Sequence, residues 1–168
     1  MVARAASATA GDTVPLEDIA REAGVGIGTL YRHFPTRESL MEAVYAAELD
    51  EVTSNAELLL DQFPPDAALR AWMNRYAEFI RTKRGMVNTL RSNWASGRVA
   101  TPTTRERVTA AVATILTAGI REGVFRADVD AEDITALILG VFLSTTADGT
   151  SEQTGRLLDL VVDALRRP

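Results

Sequence analysis

Apolar residues recur at helical spacing along nearly the whole chain, and glycine and proline fall between the apolar segments. No segment carries a convincing strand pattern. Leu69, Trp72, Met73, Tyr76, Phe79 and Ile80 give the cleanest pattern, standing at i, i+3, i+4, i+7, i+10 and i+11 on one helical face. That helix is expected to start behind Pro64-Pro65 with Asp66 as its cap and to end at Gly85. Similar punctuation predicts an Ala-rich helix over Met1–Ala10, one from Leu16 to Ala23 between Pro15 and Gly24, and one over Ile27–Phe34 before Pro35. Thr36 reads as the N-cap of a long helix through Leu60, with Glu38 near its positive end. Four more are expected: Met86–Ala95 stopping at Gly97, Thr103–Glu122, Ile134–Ala147 behind the acidic turn Asp130–Asp133, and Thr154–Arg166. The fold class is therefore all-α, with about nine helices.

The last two helices are apolar on most sides. Ile134, Leu137, Ile138, Leu139, Val141, Phe142 and Leu143 spread around one, and Leu157, Leu158, Leu160, Val161, Val162 and Leu165 around the other. A helix of this kind must be covered on most sides. In a chain this small a second copy is expected to supply part of the cover. The homodimer face is assigned to Ile134, Leu137, Ile138, Val141, Leu157, Leu158, Val161 and Leu165. Burial of both helices within the monomer is the alternative.

Composition narrows the chemistry. At 168 residues, 46% hydrophobic and 24% charged, the chain can bury a real core, either as one domain or as a small module joined to a larger one. The absence of cysteine excludes disulfides, thiolate nucleophiles and thiolate metal sites, and the single histidine, His33, excludes a multi-histidine metal centre. No apolar run approaches the roughly 20 residues needed to span a bilayer, and Met1–Gly11 lacks the apolar core of a signal peptide. A soluble, cytoplasmic protein is expected. Nothing resembles a phosphate-binding glycine loop, a nucleophile elbow or a carboxylate pair for acid–base work. Gly24-Val25-Gly26-Ile27-Gly28 is not a dinucleotide fingerprint, because no strand precedes it. Asp128, Asp130, Glu132 and Asp133 lack the spacing of a calcium loop and read as capping. A non-enzymatic protein without cofactor or metal is expected.

The formal net charge of −5 argues against a nucleic-acid partner only if positive charge is evenly spread. It is not. Between Ala23 and Arg37 there is no acidic residue, while Arg32 and Arg37 are positive. This stretch carries two short helices around Gly24-Val25-Gly26. Ile19, Ala20 and Ala23 make one apolar face, Leu30 and Phe34 the matching one, and Val25 fills the corner. By these criteria it is a helix-turn-helix. Burying Leu30 and Phe34 turns Ile27, Gly28, Thr29, Tyr31, Arg32 and His33 outward. Gly28 allows close approach to DNA. Thr29 offers a hydroxyl and a methyl, Tyr31 and His33 can donate to phosphate oxygens, and Arg32 can reach a base edge or a phosphate. Arg37, in the first turn of the long helix, is placed to meet another phosphate.

The run from Ile19 to Leu40, and above all Thr29-Leu30-Tyr31-Arg32-His33-Phe34, resembles the DNA-binding domain of the tetracycline-repressor (TetR) family. The turn Gly123–Asp130 also resembles that family. The resemblance implies an N-terminal DNA-binding domain over residues 1–45 and a helical ligand-binding and dimerisation domain over 46–168. It implies a regulator, a repressor, that binds a near-palindromic double-stranded operator as a homodimer and responds to a small-molecule effector. On the stripe alone Trp72, Met73, Tyr76, Phe79 and Ile80 are core residues. The resemblance makes them candidate pocket walls, together with Met86, Leu90, Trp94, Ile115 and Phe142. Arg81, Lys83, Arg84, Arg91, Arg98 and Arg105 read as a solvated surface, or as attraction for an anion. The first helix departs from the family pattern. Ten residues precede Gly11, and Ser7 stands where a large apolar residue is expected. A short Ala-rich helix buries little and is marginal alone. The alternative function is thus a dimeric small-molecule-binding protein whose DNA binding is impaired by an incomplete first helix.

Overall fold

A computed structural model of the chain describes residues 14–90, 102–145 and 150–167, without the side chains of Glu38 and residues 83–90. The described residues form seven helices: α1 (Leu16–Glu22), α2 (Ile27–His33), α3 (Arg37–Leu60), α4 (Pro65–Leu90), α5 (Pro102–Arg121), α6 (Ala131–Thr145) and α7 (Ser151–Leu165). Among them there is no strand, only an isolated antiparallel bridge between Phe125 and Arg166. The expected Met1–Ala10 helix, with Ser7, lies outside the described residues, as do Trp94, Arg91 and Arg98.

Two boundaries are corrected: α7 starts at Ser151, behind a Thr150 side chain that accepts from Gln153 N–H, and not at Thr154, and the other is at Gly85. Gly85 does not end a helix, because α4 runs on to Leu90. A glycine inside a helix costs about 1 kcal/mol but stops it only where the backbone turns left-handed. That happens at Gly24, with φ +70°, and at Gly123, with φ +74°. At both, the next N–H closes a six-residue loop onto the helix, Val25 N–H to the Ala20 carbonyl at 2.9 Å and Val124 N–H to the Gly119 carbonyl at 2.8 Å. These are Schellman ends.

The chain divides into two compact units, Met1–Leu49 with Arg81–Gly97 and Asp50–Ile80 with Arg98–Pro168. In the first, Ile19, Ala20, Leu30, Leu40, Met41 and Val44 form a buried core, with Val14, Leu16, Val25 and Phe34 packed against it. An apolar groove of about 360 Å³ runs along this core, lined by α2 and α3 residues that include Leu30, Phe34, Leu40 and Val44.

In the second unit α5 packs on α6 and α6 on α7. The interior is aromatic. Trp72 stacks on Tyr76 with ring centroids 5.4 Å apart, Tyr76 on Phe79 at 5.9 Å, and Phe142 meets Tyr76 edge-on at 5.6 Å. Trp72 Nε1 donates to the Val52 carbonyl at 3.1 Å, which satisfies the one polar atom of a buried indole. The C-terminal residues are tied in by main-chain bonds, Arg126 N–H to the Leu165 carbonyl at 2.9 Å and Arg167 N–H to the Val124 carbonyl at 3.0 Å.

The proposed self-association face needs correction as well. Ile134, Ile138, Leu158, Val161 and Leu165 are buried within the monomer and cannot form its surface. Val141 and Leu157 are half-buried, while Leu137 is 55% exposed. A helix apolar all round gives one side to its own core, and only the other remains for a partner.

Candidate nucleic-acid interface

The site is built on α2. Its start is set by backbone alone: the Gly26 carbonyl accepts from Thr29 N–H at 2.9 Å and Leu30 N–H at 3.1 Å, with no side-chain cap. Its end is the Phe34 N–H donating to the Leu30 carbonyl at 2.8 Å. Leu30 is buried in the core and Phe34 half-buried against it. The two are four residues apart, on one side of the helix, so the rest must face out. Ile27, Gly28, Thr29, Tyr31, Arg32 and His33 are all exposed. Tyr31 is 44% and Ile27 37% exposed, so both are available to a partner on this face. A side chain added at Gly28 would meet nothing within 4 Å, so the start of α2 is open to close approach.

Behind this face α3 begins with a tight cap. Ser39 N–H donates to Thr36 Oγ1 at 3.1 Å, and Thr36 N–H to Ser39 Oγ at 3.2 Å. This reciprocal pair is a capping box with serine at the third position. Arg37 follows, half-buried, with its Nη1 donating to the Val14 carbonyl at 2.6 Å. Sequence reasoning missed that contact, because a carbonyl acceptor has no side-chain signature. Away from the outward face, Arg21 pairs with Asp18 at 2.5 Å one turn away within α1.

Of the candidate effector residues, Trp72, Met73, Tyr76, Phe79, Ile115 and Phe142 are buried, and Ile80 is half-buried. Met86 and Leu90 lie on α4, but their side chains are not among those described. Among the described residues no cluster of His, Asp or Glu could hold a metal ion, and no helix is long and apolar enough to cross a membrane.

The fold and the exposed helix define a helix-turn-helix protein with a second, helical unit. Residues 3–44 match the model of the bacterial regulatory proteins of the tetR family, and residues 64–167 match the C-terminal domain of SbtR-like transcriptional regulators. The chain belongs to the TetR family of transcriptional regulators. It is similar to a TetR transcriptional regulator from Streptomyces coelicolor, at 39% identity over 98% of this chain and 96% of that one, with a TM-score of 0.79. It is also similar to a TetR regulatory protein from Mycobacterium vanbaalenii, at 32% identity over 99% and 91% of the two chains, with a TM-score of 0.68. An HTH-type transcriptional regulator of Staphylococcus aureus (strain MRSA252) is 32% identical over 69 residues, 39% of this chain and 36% of that relative's length.

Proposed function

We propose that the chain is a ligand-responsive repressor that binds a near-palindromic operator as a homodimer, with residues 1–45 reading DNA and residues 46–168 binding the effector and dimerising. The observation that carries this reading is the outward face of α2: six consecutive-turn residues exposed around a buried Leu30, with no carboxylate from Ala23 to Arg37. Two such helices in a dimer enter successive major grooves about 34–36 Å apart. Phosphate donors Tyr31 and His33 set register, and Arg32 and Thr29 meet base edges. The Trp72–Tyr76–Phe79 stack with Phe142 supports an effector site in the second unit, where aromatic faces suit an apolar ligand. Binding there shifts the dimer between geometries that do and do not match the grooves, a coupling of about 1–3 kcal/mol. Such a regulator works in the cytoplasm, where the DNA is.

The test is operator binding by a Tyr31→Phe, Arg32→Ala double variant, followed by fluorescence anisotropy over a range of salt. Each lost contact costs about 1–3 kcal/mol, so affinity falls at least tenfold, and the salt slope flattens only as far as the lost Arg32 charge had neutralised phosphate, because the Tyr31 hydroxyl is neutral. Dimerisation stays intact. Unchanged operator affinity would remove α2 from the interface.

A further inference from the structure

His33 closes α2 and is the one histidine of the chain. Histidine is the side chain whose ordinary titration falls between pH 5 and 8, and an amino terminus is the other group of that range. The ring lies between two surroundings. It lines the apolar groove with Leu30, Phe34 and Leu40, and it tilts against Phe34 with ring centroids 6.4 Å apart. It is also exposed, beside Tyr31 and Arg32 on the outward face. The residues that α3 contributes to the groove, Leu40, Ala43, Val44 and Ala47, carry no charge. None of the charged residues of α1, which packs on α2, lines it either: Glu17, Asp18, Arg21 and Glu22 all lie elsewhere. The charged positions closest along the chain are Arg32 on its own helix and Arg37 and Glu38 at the start of α3. A carboxylate at position 38 changes the pH at which His33 is charged, but not the sign of what that charge does to a phosphate.

With His33 neutral, the stretch from Ala23 to Arg37 carries two positive charges, Arg32 and Arg37, and no negative one. Protonation makes three, so in a chain of net charge −5 the local field that a polyanion meets rises by half. Neutral imidazole offers a phosphate oxygen one uncharged N–H, whereas imidazolium offers a charged donor, which is roughly twice as strong. A phosphate at this position therefore favours the protonated ring. Proton and DNA then raise each other's affinity by the same factor. We infer that His33 couples operator binding to pH: the complex takes up about one proton per α2 as it forms, and affinity rises as pH falls from 8 to 5.5. This rests on the reading of α2 as the DNA-facing helix.

The experiment measures affinity by fluorescence anisotropy from pH 5.5 to pH 8, on a duplex recovered by the wild-type protein from a random-sequence library. His33→Gln keeps a neutral donor, and His33→Arg carries a permanent charge. The wild type is expected to bind about tenfold more tightly per subunit at pH 5.5 than at pH 8. Its salt slope is expected to be steeper at pH 5.5 by about 0.9 for each His33 that meets a phosphate. The Gln variant is expected to keep one affinity across the range, near the wild-type value at pH 8. The Arg variant is expected to keep one salt slope, that of the wild type at pH 5.5. The inference is overturned if the wild type binds its duplex equally at both ends of the range. It is also overturned if the Gln variant keeps the wild-type response, because the proton then belongs to the amino terminus or another group. A flat response from a chain that binds its duplex leaves the regulator reading standing. A chain that recovers no duplex at either pH sinks both. His33 is exposed, so neither substitution opens the core, and thermal unfolding at both pH values verifies that the compared variants are folded.

Discussion

At Gly119 a missing side chain makes room for an aromatic ring. A Cβ there would stand 2.1 Å from Phe125 Cδ2, and Phe125 is 2% exposed. The ring sits under the turn that the C-terminal residues clamp through the Phe125–Arg166 bridge. Alanine is the better helix former by about 1 kcal/mol, yet overpacking a rigid ring costs about 1–3 kcal/mol. Gly119→Ala is therefore expected to lower the Tm, and Gly155→Ala, whose Cβ would meet Arg70 Nη2 at an ordinary 3.6 Å, to leave it equal or higher. Thermal unfolding of the two variants side by side checks this, and equal shifts would refute the packing argument. The periodicity around Leu30 makes the outward residues of α2 legible from sequence, because a 3.6-residue repeat fixes which side is buried. Neither Gly119 against Phe125 nor Arg37 on Val14 is legible that way. Both depend on parts of the chain meeting across a fold, and sequence spacing says nothing of that.

Among the elements, a helix end is legible where one residue has a strong local use and not where a glycine merely interrupts the pattern. Thr36 could be recognised as a cap because its hydroxyl has one strong local use, and Gly24 as a stop because it can turn left-handed. Gly85 carries the same letter, but its neighbours continue the helix, so composition alone misplaced the end. The Thr36 cap has a direct test. Thr36→Ala removes the acceptor for Ser39 N–H and is expected to cost about 1 kcal/mol, read as a lower denaturation midpoint with an unchanged m-value. A midpoint equal to wild type would show that the box contributes nothing. The start of α4 and the turn before α6 respond to pH. The Arg166 guanidinium, hydrogen-bonded at 2.9 Å, holds the Asp66 carboxyl below its usual range, and the Arg126 guanidinium takes Asp128 down to about 2. Depressed carboxyls favour the folded state above their unfolded pKa, near 3.9, and that contribution is lost as pH falls through the folded value. The Tm is expected to be flat near neutrality and to fall between about pH 4 and pH 2, with a shallower fall in Asp66→Asn. An identical profile in that variant would mean that the pair does not stabilise the fold. Asp128 is fully exposed, so its share at neutral pH is small.

The whole molecule turns on where its unspent apolar surface lies. On α6 and α7, Ile134, Ile138, Phe142, Leu158 and Val162 go to the monomer's own core, while Leu137, Leu143 and Leu160 remain 55%, 50% and 63% exposed. The all-round apolar pattern predicts that these helices take cover from a second copy, with burial in the monomer as the alternative. It could not say which half would be left, because an all-round apolar pattern has no face. Fully burying a leucine favours association by about 1.5–3 kcal/mol, and a two-fold interface counts each contact twice. These exposed leucines are the apolar surface that the proposed isologous contact would bury, and association must also overcome the lost freedom of two bodies. Leu137→Glu with Leu160→Glu puts like charges where that contact would close, while both positions already tolerate water in the monomer. The double variant is expected to run as a monomer in light scattering, with wild-type helix content. Operator affinity should fall steeply, since a single recognition helix reads only one half-site and loses the linkage to the second. A dimer that persists in the variant would move self-association to another surface. A monomer that still binds the full operator as tightly as wild type would mean that dimerisation is not how two α2 helices reach one duplex.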